Sequence, residues 1–366
     1  MKVWDYKLDL EREKDEILSA IEEVLQSGQL ILGEKVQQFE EAFAHYCESR
    51  YGVGVDNGTN AVFLALKALG IGPGDEVVTV ANTAVPTVSA IVSCGAKPVF
   101  VDVEERGYLM DVSKLEAVLS KHTRCILPVH LFGQCADMDP LNEMAQQHRI
   151  PVMEDCAQCH GARYKGHKAG SMSTVSATSF YPTKILGTFG DAGMVMTQDP
   201  AHHKKLLRLR SYGMEGSYYS LEHGFNCRLD EIHAAILLKK LAHIESYISA
   251  RRKIAARYHE ALKGTDLVLP LEMEYNRHCY YLFVVRHPKR DRILEALREK
   301  DVFLNISYPW PVHLMEAYRF LGHQKGHLPI TEHLADEIFS LPMYPSLTEE
   351  LQDQFIETLT KVLNDL

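Results

Sequence analysis

The 366-residue chain has no basic excess, no long uninterrupted apolar run and no dense cysteine framework. Each absence removes a class of protein. A formal net charge of −10 argues against a polyanion as the main partner, and no basic stripe with interleaved aromatics appears, so no nucleic-acid role is expected. The N-terminus Met1-Lys2-Val3-Trp4-Asp5-Tyr6 becomes charged within ten residues and lacks the apolar core of a signal peptide, which predicts a cytoplasmic protein. Residues 77–103 are apolar, but Asn82, Pro86, Ser93, Gly95, Lys97 and Pro98 interrupt them, so they read as strand, helix, strand and no membrane span is expected. Internal repeats and low-complexity segments are also lacking.

Eight cysteines are scattered through the chain, a pattern that favours reduced thiols over a disulfide scaffold. Cys156-Ala157-Gln158-Cys159-His160 matches a haem-attachment string, and its first four residues match a redox or zinc half-site. Haem attachment requires export, zinc requires a second ligand pair, and a redox pair would open the helix of an early βαβ unit. None of these contexts is present, so the two thiols are read as small buried groups and no metal is expected.

What is present is alternation. Strands are predicted at Tyr51–Val55, Glu76–Val80, Pro98–Val103, Cys125–Val129 and Ile150–Glu154. Helices fall between them at Thr59–Leu69, Thr83–Cys94, Val112–Leu119 and Pro140–His148. Such alternation implies a mostly parallel sheet with helices on both faces, whose ligands gather outside the carboxyl ends of the strands. Asn57-Gly58-Thr59, Asn82-Thr83, His130 and Asp155 all sit at those ends. After Pro200 the pattern changes: a helix to Leu209, a Gly/Tyr/Ser-rich loop over 211–226, one long helical stretch Leu229–Leu262, a strand Tyr280–Val285 and helices Asp291–Arg298 and Thr348–Leu363. A large domain over 1–245 with an N-terminal helical arm and a smaller α/β domain over 246–366 are expected.

Lys184 opens a glycine-punctuated loop after the apolar segment that ends Ser179-Phe180-Tyr181-Pro182-Thr183, and Asp155 ends another apolar run. An amine and a carboxylate at the ends of two buried strands suit a cofactor with an aldehyde and a basic ring nitrogen, and pyridoxal phosphate has both. Lys184 would bond to the aldehyde and then carry a proton, Asp155 would keep the ring nitrogen protonated, and Gln158 could reach the ring oxygen. Gly58 and Thr59 open a helix whose N-terminus favours a phosphate, and Ser179 adds a hydroxyl. Singly, each of these has a plain structural explanation; their joint order in one α/β chain is the signal.

These segments, with Gly70 to Val77, Pro128 to Gln134, Gly190-Asp191-Ala192-Gly193, Asn226-Cys227-Arg228-Leu229-Asp230-Glu231 and Leu341-Pro342-Met343, resemble the DegT-type nucleotide-sugar aminotransferase family of fold-type I pyridoxal-phosphate enzymes over nearly the whole chain. The resemblance implies a Schiff-base role for Lys184, a ring-nitrogen partner in Asp155, a ring-oxygen contact in Gln158 and phosphate ligands in Gly58, Thr59 and Ser179. It implies further that Asn226 reaches the phosphate of a neighbouring subunit in a homodimer; read from the residues alone, Asn226 before a helical run would otherwise be a helix cap. Ala84 stands where many relatives carry an aromatic that stacks on the ring. Retention of lysine, which some relatives replace with histidine, favours amine transfer over dehydration.

The implied reaction takes an amine from glutamate to a nucleotide-linked keto-sugar. Ser307-Tyr308-Pro309-Trp310-Pro311-Val312-His313 is either a packing loop or a sugar-nucleotide contact through Tyr308 and His313, and its form resembles members that aminate C3 of a dTDP-linked 3-keto-6-deoxyhexose. C4 amination of a 4-keto sugar, amination of a keto-cyclitol and a non-catalytic cofactor-binding regulator are the alternatives. Arg210 and Arg228 are cations that could meet a diphosphate or the donor carboxylates.

Overall fold

The computed structural model describes residues 1–216 and 218–366, so Ser217 of the predicted 211–226 loop lies outside the described residues. Two helices come first, α1 (Tyr6–Ser27) and α2 (Glu34–Tyr46). Asp5 caps α1 by accepting from the Lys7 amide, and Gly28 ends it at φ 70°, a left-handed conformation that suits a residue without Cβ. The periodic Ile17, Ala20 and Val24 form its buried face.

The alternating region then runs β1 (Tyr51–Val55), α3 (Gly58–Ala68), β2 (Glu76–Val80), α4 (Val85–Ser93), β3 (Lys97–Val101), β4 (Thr123–Ile126), α5 (Met138–His148) and β5 (Met153–Asp155). A short hairpin follows, β6 (Arg163–Tyr164) with β7 (His167–Lys168), and then β8 (Val175–Ser179) and β9 (Gly193–Thr197). Strands β3, β2 and β4 pair in parallel, as do β5 and β8. Parallel bridges Ile126–Val152 and Val129–Asp155 join the two groups. Strand β9 lies antiparallel between β8 and β1 and makes the sheet mixed. This is the α/β arrangement expected, with differences at particular elements. The helix predicted at Val112–Leu119 is two separate 3-10 turns, Val112–Lys114 and Glu116–Val118.

Beyond the sheet come α6 (Pro200–Leu209), α7 (Glu231–Leu241) and α8 (Ile244–Leu262). The single long helix predicted over Leu229–Leu262 is therefore broken at Ala242-His243. The C-terminal part adds β10 (Asn276–Arg277), which pairs with β6, and β11 (Phe283–Arg286), which pairs antiparallel with β12 (Ile338–Leu341). Helices α9 (Arg290–Arg298) and α11 (Glu349–Asn364) share the apolar cluster of that pair, whereas α10 (Pro329–Glu337) turns Leu334 to the cluster of the large sheet and bonds to Asp102 through the Ile330 and Thr331 amides.

Two large apolar clusters hold these parts. The first surrounds the sheet, where Phe180 meets Phe39 and Phe43 edge-on with ring centroids 5.1 and 4.9 Å away. Each ring buried there contributes about 1.5–3 kcal/mol, which anchors the start of the Lys184 loop. The second gathers Tyr258, Phe283, Phe339 and Phe355, with Trp4 and Leu8 of the N-terminal arm against it. Among the described residues no helix is long and apolar enough to cross a membrane.

Candidate active site

The carboxyl ends of β1, β2, β5 and β8 open on a cavity of about 380 Å³ lined by Gly58, Thr59, Asp155, Gln158, Ser179 and Lys184, with Thr83, Ala84, Thr87, Asp191 and Tyr281 among its other walls. The residues expected to hold the cofactor within one chain thus meet in one place, with Asn57 and Thr83 beside them. Asp155 ends β5 and is 5% exposed. Its Oδ2 accepts from the Thr87 hydroxyl at 2.8 Å and its Oδ1 from the Ala157 amide at 3.1 Å. Thr87 in turn lies 3.0 Å from the Thr83 hydroxyl, so the first turn of α4 holds the carboxylate's orientation. Lys184 lines the same cavity, its Nζ 4.7 Å from the centre of the Tyr281 ring, whose hydroxyl is 3.0 Å from that of Thr183. Amine and carboxylate therefore face one cavity from two separate strand ends.

At the third side stands the N-terminus of α3. The Asn57 side chain accepts from the Asn60 amide at 2.8 Å, which leaves the first amides of the helix, those of Gly58 and Thr59, without an intrahelical partner. A Cβ on Gly58 would come within 2.6 Å of the Ser179 Cβ, so only glycine lets the helix end and β8 approach this closely. The Ser179 hydroxyl accepts from the Tyr181 amide at 3.3 Å and keeps its own hydrogen for another acceptor. Two amides and two hydroxyls converging at a helix N-terminus fit a phosphate, and an acid and an amine across the cavity fit a pyridine nitrogen and an aldehyde.

The other expected residues are placed elsewhere. Asn226 is exposed, bridged to Ser211, and does not line its own chain's cavity. Tyr308 does not line it directly but bonds to Gln158. His313 is 1% exposed, holds Glu332 at 3.1 Å and has Phe100 of β3 beside its ring, so it is packed between the C-terminal part and the sheet and does not line this cavity. His130 follows the Val129–Asp155 bridge beyond β4 but is engaged in the interior: its Nε2 lies 3.0 Å from Glu154, and its Nδ1 accepts from the Ala136 amide at 3.1 Å. Of the two arginines, Arg210 is engaged by Glu40 and the Gly54 carbonyl in the interior, and Arg228 lies 5.6 Å over the Tyr212 ring. Thr87 and Tyr281 carry no distinguishing mark in the sequence; Thr83 lies before the α4 cap Ala84 and Thr87 in the first turn, so folding and not helix periodicity pairs the two hydroxyls.

His130, Glu154 and Cys156 lie close enough to suggest a metal site. Their lone pairs are already engaged: Glu154 also accepts from the Gly170 and Met172 amides at 2.7 and 3.0 Å and from the Ser173 hydroxyl at 2.7 Å. Burial pushes the Cys156 thiol up to about 11, so it is protonated at neutral pH and a poor metal ligand. The eight cysteines are all buried and unpaired.

A lysine and an aspartate facing across a mixed sheet's ligand end, with a phosphate-ready helix beside them and a C-terminal α/β unit behind, define a pyridoxal-phosphate enzyme of fold type I. The chain belongs to the DegT/DnrJ/EryC1/StrS aminotransferase family, which matches residues 11–360, and is a pyridoxal-phosphate-dependent sugar aminotransferase. A dTDP-3-amino-3,4,6-trideoxy-alpha-D-glucose transaminase from Micromonospora megalomicea subsp. nigra is 52% identical over 370 residues, covering 100% of this chain and 99% of that protein. A pleiotropic regulatory protein from Geobacillus stearothermophilus is 39% identical, covering 98% of this chain and 97% of that one. Among solved structures, S. venezuelae DesV in complex with a ketimine intermediate superposes with a TM-score of 0.96 at 40% identity, covering 98% of this chain and 96% of that chain.

Proposed function

We propose that this enzyme moves an amino group from glutamate to C3 of a dTDP-linked 3-keto-6-deoxyhexose. The observation that carries the reading is the 52% identity, across essentially both full lengths, to a transaminase whose product bears its amine at C3 of a dTDP-linked sugar. Bound pyridoxal phosphate supplies an aldehyde that takes up the amine and a ring that spreads the electron pair left behind. Lys184 is the residue that bonds to it and, once released, moves a proton between the donor's α-carbon and the cofactor's C4′ carbon. Asp155, fixed by Thr87 and the Ala157 amide, holds the proton on the ring nitrogen. Gln158 meets the ring oxygen, and Gly58, Thr59 and Ser179 take the phosphate.

The same reading makes the enzyme a cytoplasmic homodimer in which Asn226 completes the partner's phosphate site. The exposed position of Asn226, on a loop that also exposes Tyr212 and Tyr219, supports it. A large domain over 1–245 and a small one over 246–366 are part of the proposal, supported by a second apolar cluster whose buried members run from Ile254 to Leu363, with Trp4 and Leu8 of the N-terminal arm packed against it.

The test is a panel of nucleotide-linked keto-sugars given with glutamate, with 2-oxoglutarate as the readout. Turnover of the dTDP-linked 3-keto sugar is expected. Turnover of only a 4-keto sugar or a keto-cyclitol would contradict the C3 assignment, and cofactor binding without 2-oxoglutarate from any member would point to a regulator.

A further inference from the structure

We infer that Tyr308 is a positioning residue that fixes the Gln158 amide so that its N–H points at the cofactor's ring oxygen. The inference rests on the pyridoxal-phosphate reading of the cavity and adds a link between the C-terminal loop and the cofactor's electronics.

The argument begins with which end of the amide faces which neighbour. The Phe132 amide N–H lies 3.0 Å from Gln158 Oε1, and a backbone N–H only donates, so the carbonyl end of Gln158 must face it. The NH₂ end then faces the other way, where its Nε2 donates one hydrogen to the Tyr308 hydroxyl. An amide nitrogen carries two hydrogens, and Gln158 lines the cavity, so the second is available to an acceptor there. Without Tyr308 the Phe132 amide alone would hold the side chain, and a single bond leaves it free to swing about that contact.

Tyr308 is itself held on three sides. Its ring lies nearly parallel to that of Phe132, 5.9 Å between centroids at 21°. Asn305 bridges to Ser340 of β12, and the Ser307 and Ser340 hydroxyls are 3.1 Å apart. The Val312 amide donates to the Ala81 carbonyl at 3.2 Å, tying the far end of the loop to the end of β2. Phe132 sits at φ 58°, and at the next residue, Gly133 with φ 121°, a Cβ would meet the Tyr280 and Tyr281 amides at 2.8 Å. The turn that aims the Phe132 amide at Gln158 therefore depends on glycine following it. Tyr281 and Asp155 are the titratable groups facing the Tyr308 phenol, with Lys184 against the Tyr281 ring.

A donor on the ring oxygen draws electron density from the atom that stabilises a proton on the neighbouring Lys184-linked nitrogen. The pH midpoint of the bound cofactor's visible absorption therefore falls when Gln158 donates and rises when it does not. In the holoenzyme, Tyr308→Phe is expected to raise that midpoint by roughly 0.4–1 pH unit, the range for one neutral hydrogen bond. Gln158→Ala is expected to raise it at least as far, and the double variant no further than Gln158→Ala, because Tyr308 acts through Gln158. A midpoint unmoved by Tyr308→Phe, or a double variant that shifts beyond Gln158→Ala alone, overturns the inference while leaving the cofactor reading intact. A wild-type protein that shows no cofactor absorption band at any pH after incubation with pyridoxal phosphate would remove the cofactor reading itself, and a band present but unchanged with pH in both wild type and Tyr308→Phe would overturn this inference alone.

Discussion

Replacing Gly58 with alanine puts a methyl group into the narrowest part of the proposed phosphate cradle. The new Cβ would lie 2.6 Å from Ser179 Cβ, 3.0 Å from its Oγ and 3.2 Å from its Cα. Non-bonded carbons rest about 3.5–4.0 Å apart, so helix α3 and strand β8 must separate by about 1 Å. That movement carries the two free amides of α3 away from the Ser179 hydroxyl. Such overpacking costs about 1–3 kcal/mol, whereas alanine's better helix propensity returns at most about 1 kcal/mol, and the gain is shared by the apo and loaded forms. The clash is likewise present in both forms, so the affinity changes through the displaced phosphate contacts: losing one hydrogen bond to a charged group costs about 1.5–3 kcal/mol, and the dissociation constant for pyridoxal phosphate is expected to rise about 10- to 150-fold. Titrating apoenzyme with pyridoxal phosphate and following its absorbance measures this directly. Ser179→Gly in the Gly58→Ala background removes the atom that is struck and should restore most of the lost affinity relative to Ser179→Gly alone. Ser179→Ala keeps that atom and should restore nothing. Wild-type affinity in Gly58→Ala, or equal rescue by both second changes, would refute the reasoning.

Thr87→Val removes the hydroxyl that donates to Asp155 Oδ2 while preserving its volume. A hydrogen bond to a charged group is worth about 1.5–3 kcal/mol, so kcat/KM should fall about 10- to 100-fold and recover in Thr87→Ser; wild-type kinetics in Thr87→Val would contradict this. Burial lowers the His160 pKa to about 3, while its ring is held by the Thr178 hydroxyl at 2.9 Å. The unfolded chain takes up that proton near pH 6.5 and the folded chain does not, so stability present above pH 6.5 is lost as pH falls toward 3. By pH 4.5 the loss is about 2–3 kcal/mol, and His160→Gln should flatten the pH dependence of denaturant unfolding by that amount. An unchanged slope would show that His160 is protonated in the folded state.

Much of this architecture could be read from short-range pattern. Strands Tyr51–Val55 and Glu76–Val80 stand where their β-branched runs end in turn residues, and Gly28 ends α1 as a glycine after an amphipathic stretch should. Lys184, Asp155, Gln158, Gly58, Thr59 and Ser179 are legible because each lies at or within five residues of an element's end and together they match a family's order; the cavity they share confirms their proximity. Other features depended on partners distant in sequence. Strand β12 forms against β11, and Ile338-Phe339-Ser340-Leu341 is too short to announce itself. The break at Ala242-His243 falls in a stretch without proline or glycine, so nothing local marked it. Tyr281 is one aromatic in an apolar run until folding sets its ring beside Lys184. His313 looked like a contact residue, but Glu332 and Phe100 enclose it.

The central claim is that Lys184 is the covalent anchor and proton carrier of a pyridoxal-phosphate site. Borohydride treatment of the holoenzyme followed by peptide mapping tests it most directly. The account predicts that the cofactor becomes permanently attached to the peptide bearing Lys184 and to no other lysine, and that Lys184→Ala retains no attached cofactor. Reduction that fixes the cofactor to a different lysine, or attachment that persists in Lys184→Ala, would contradict it.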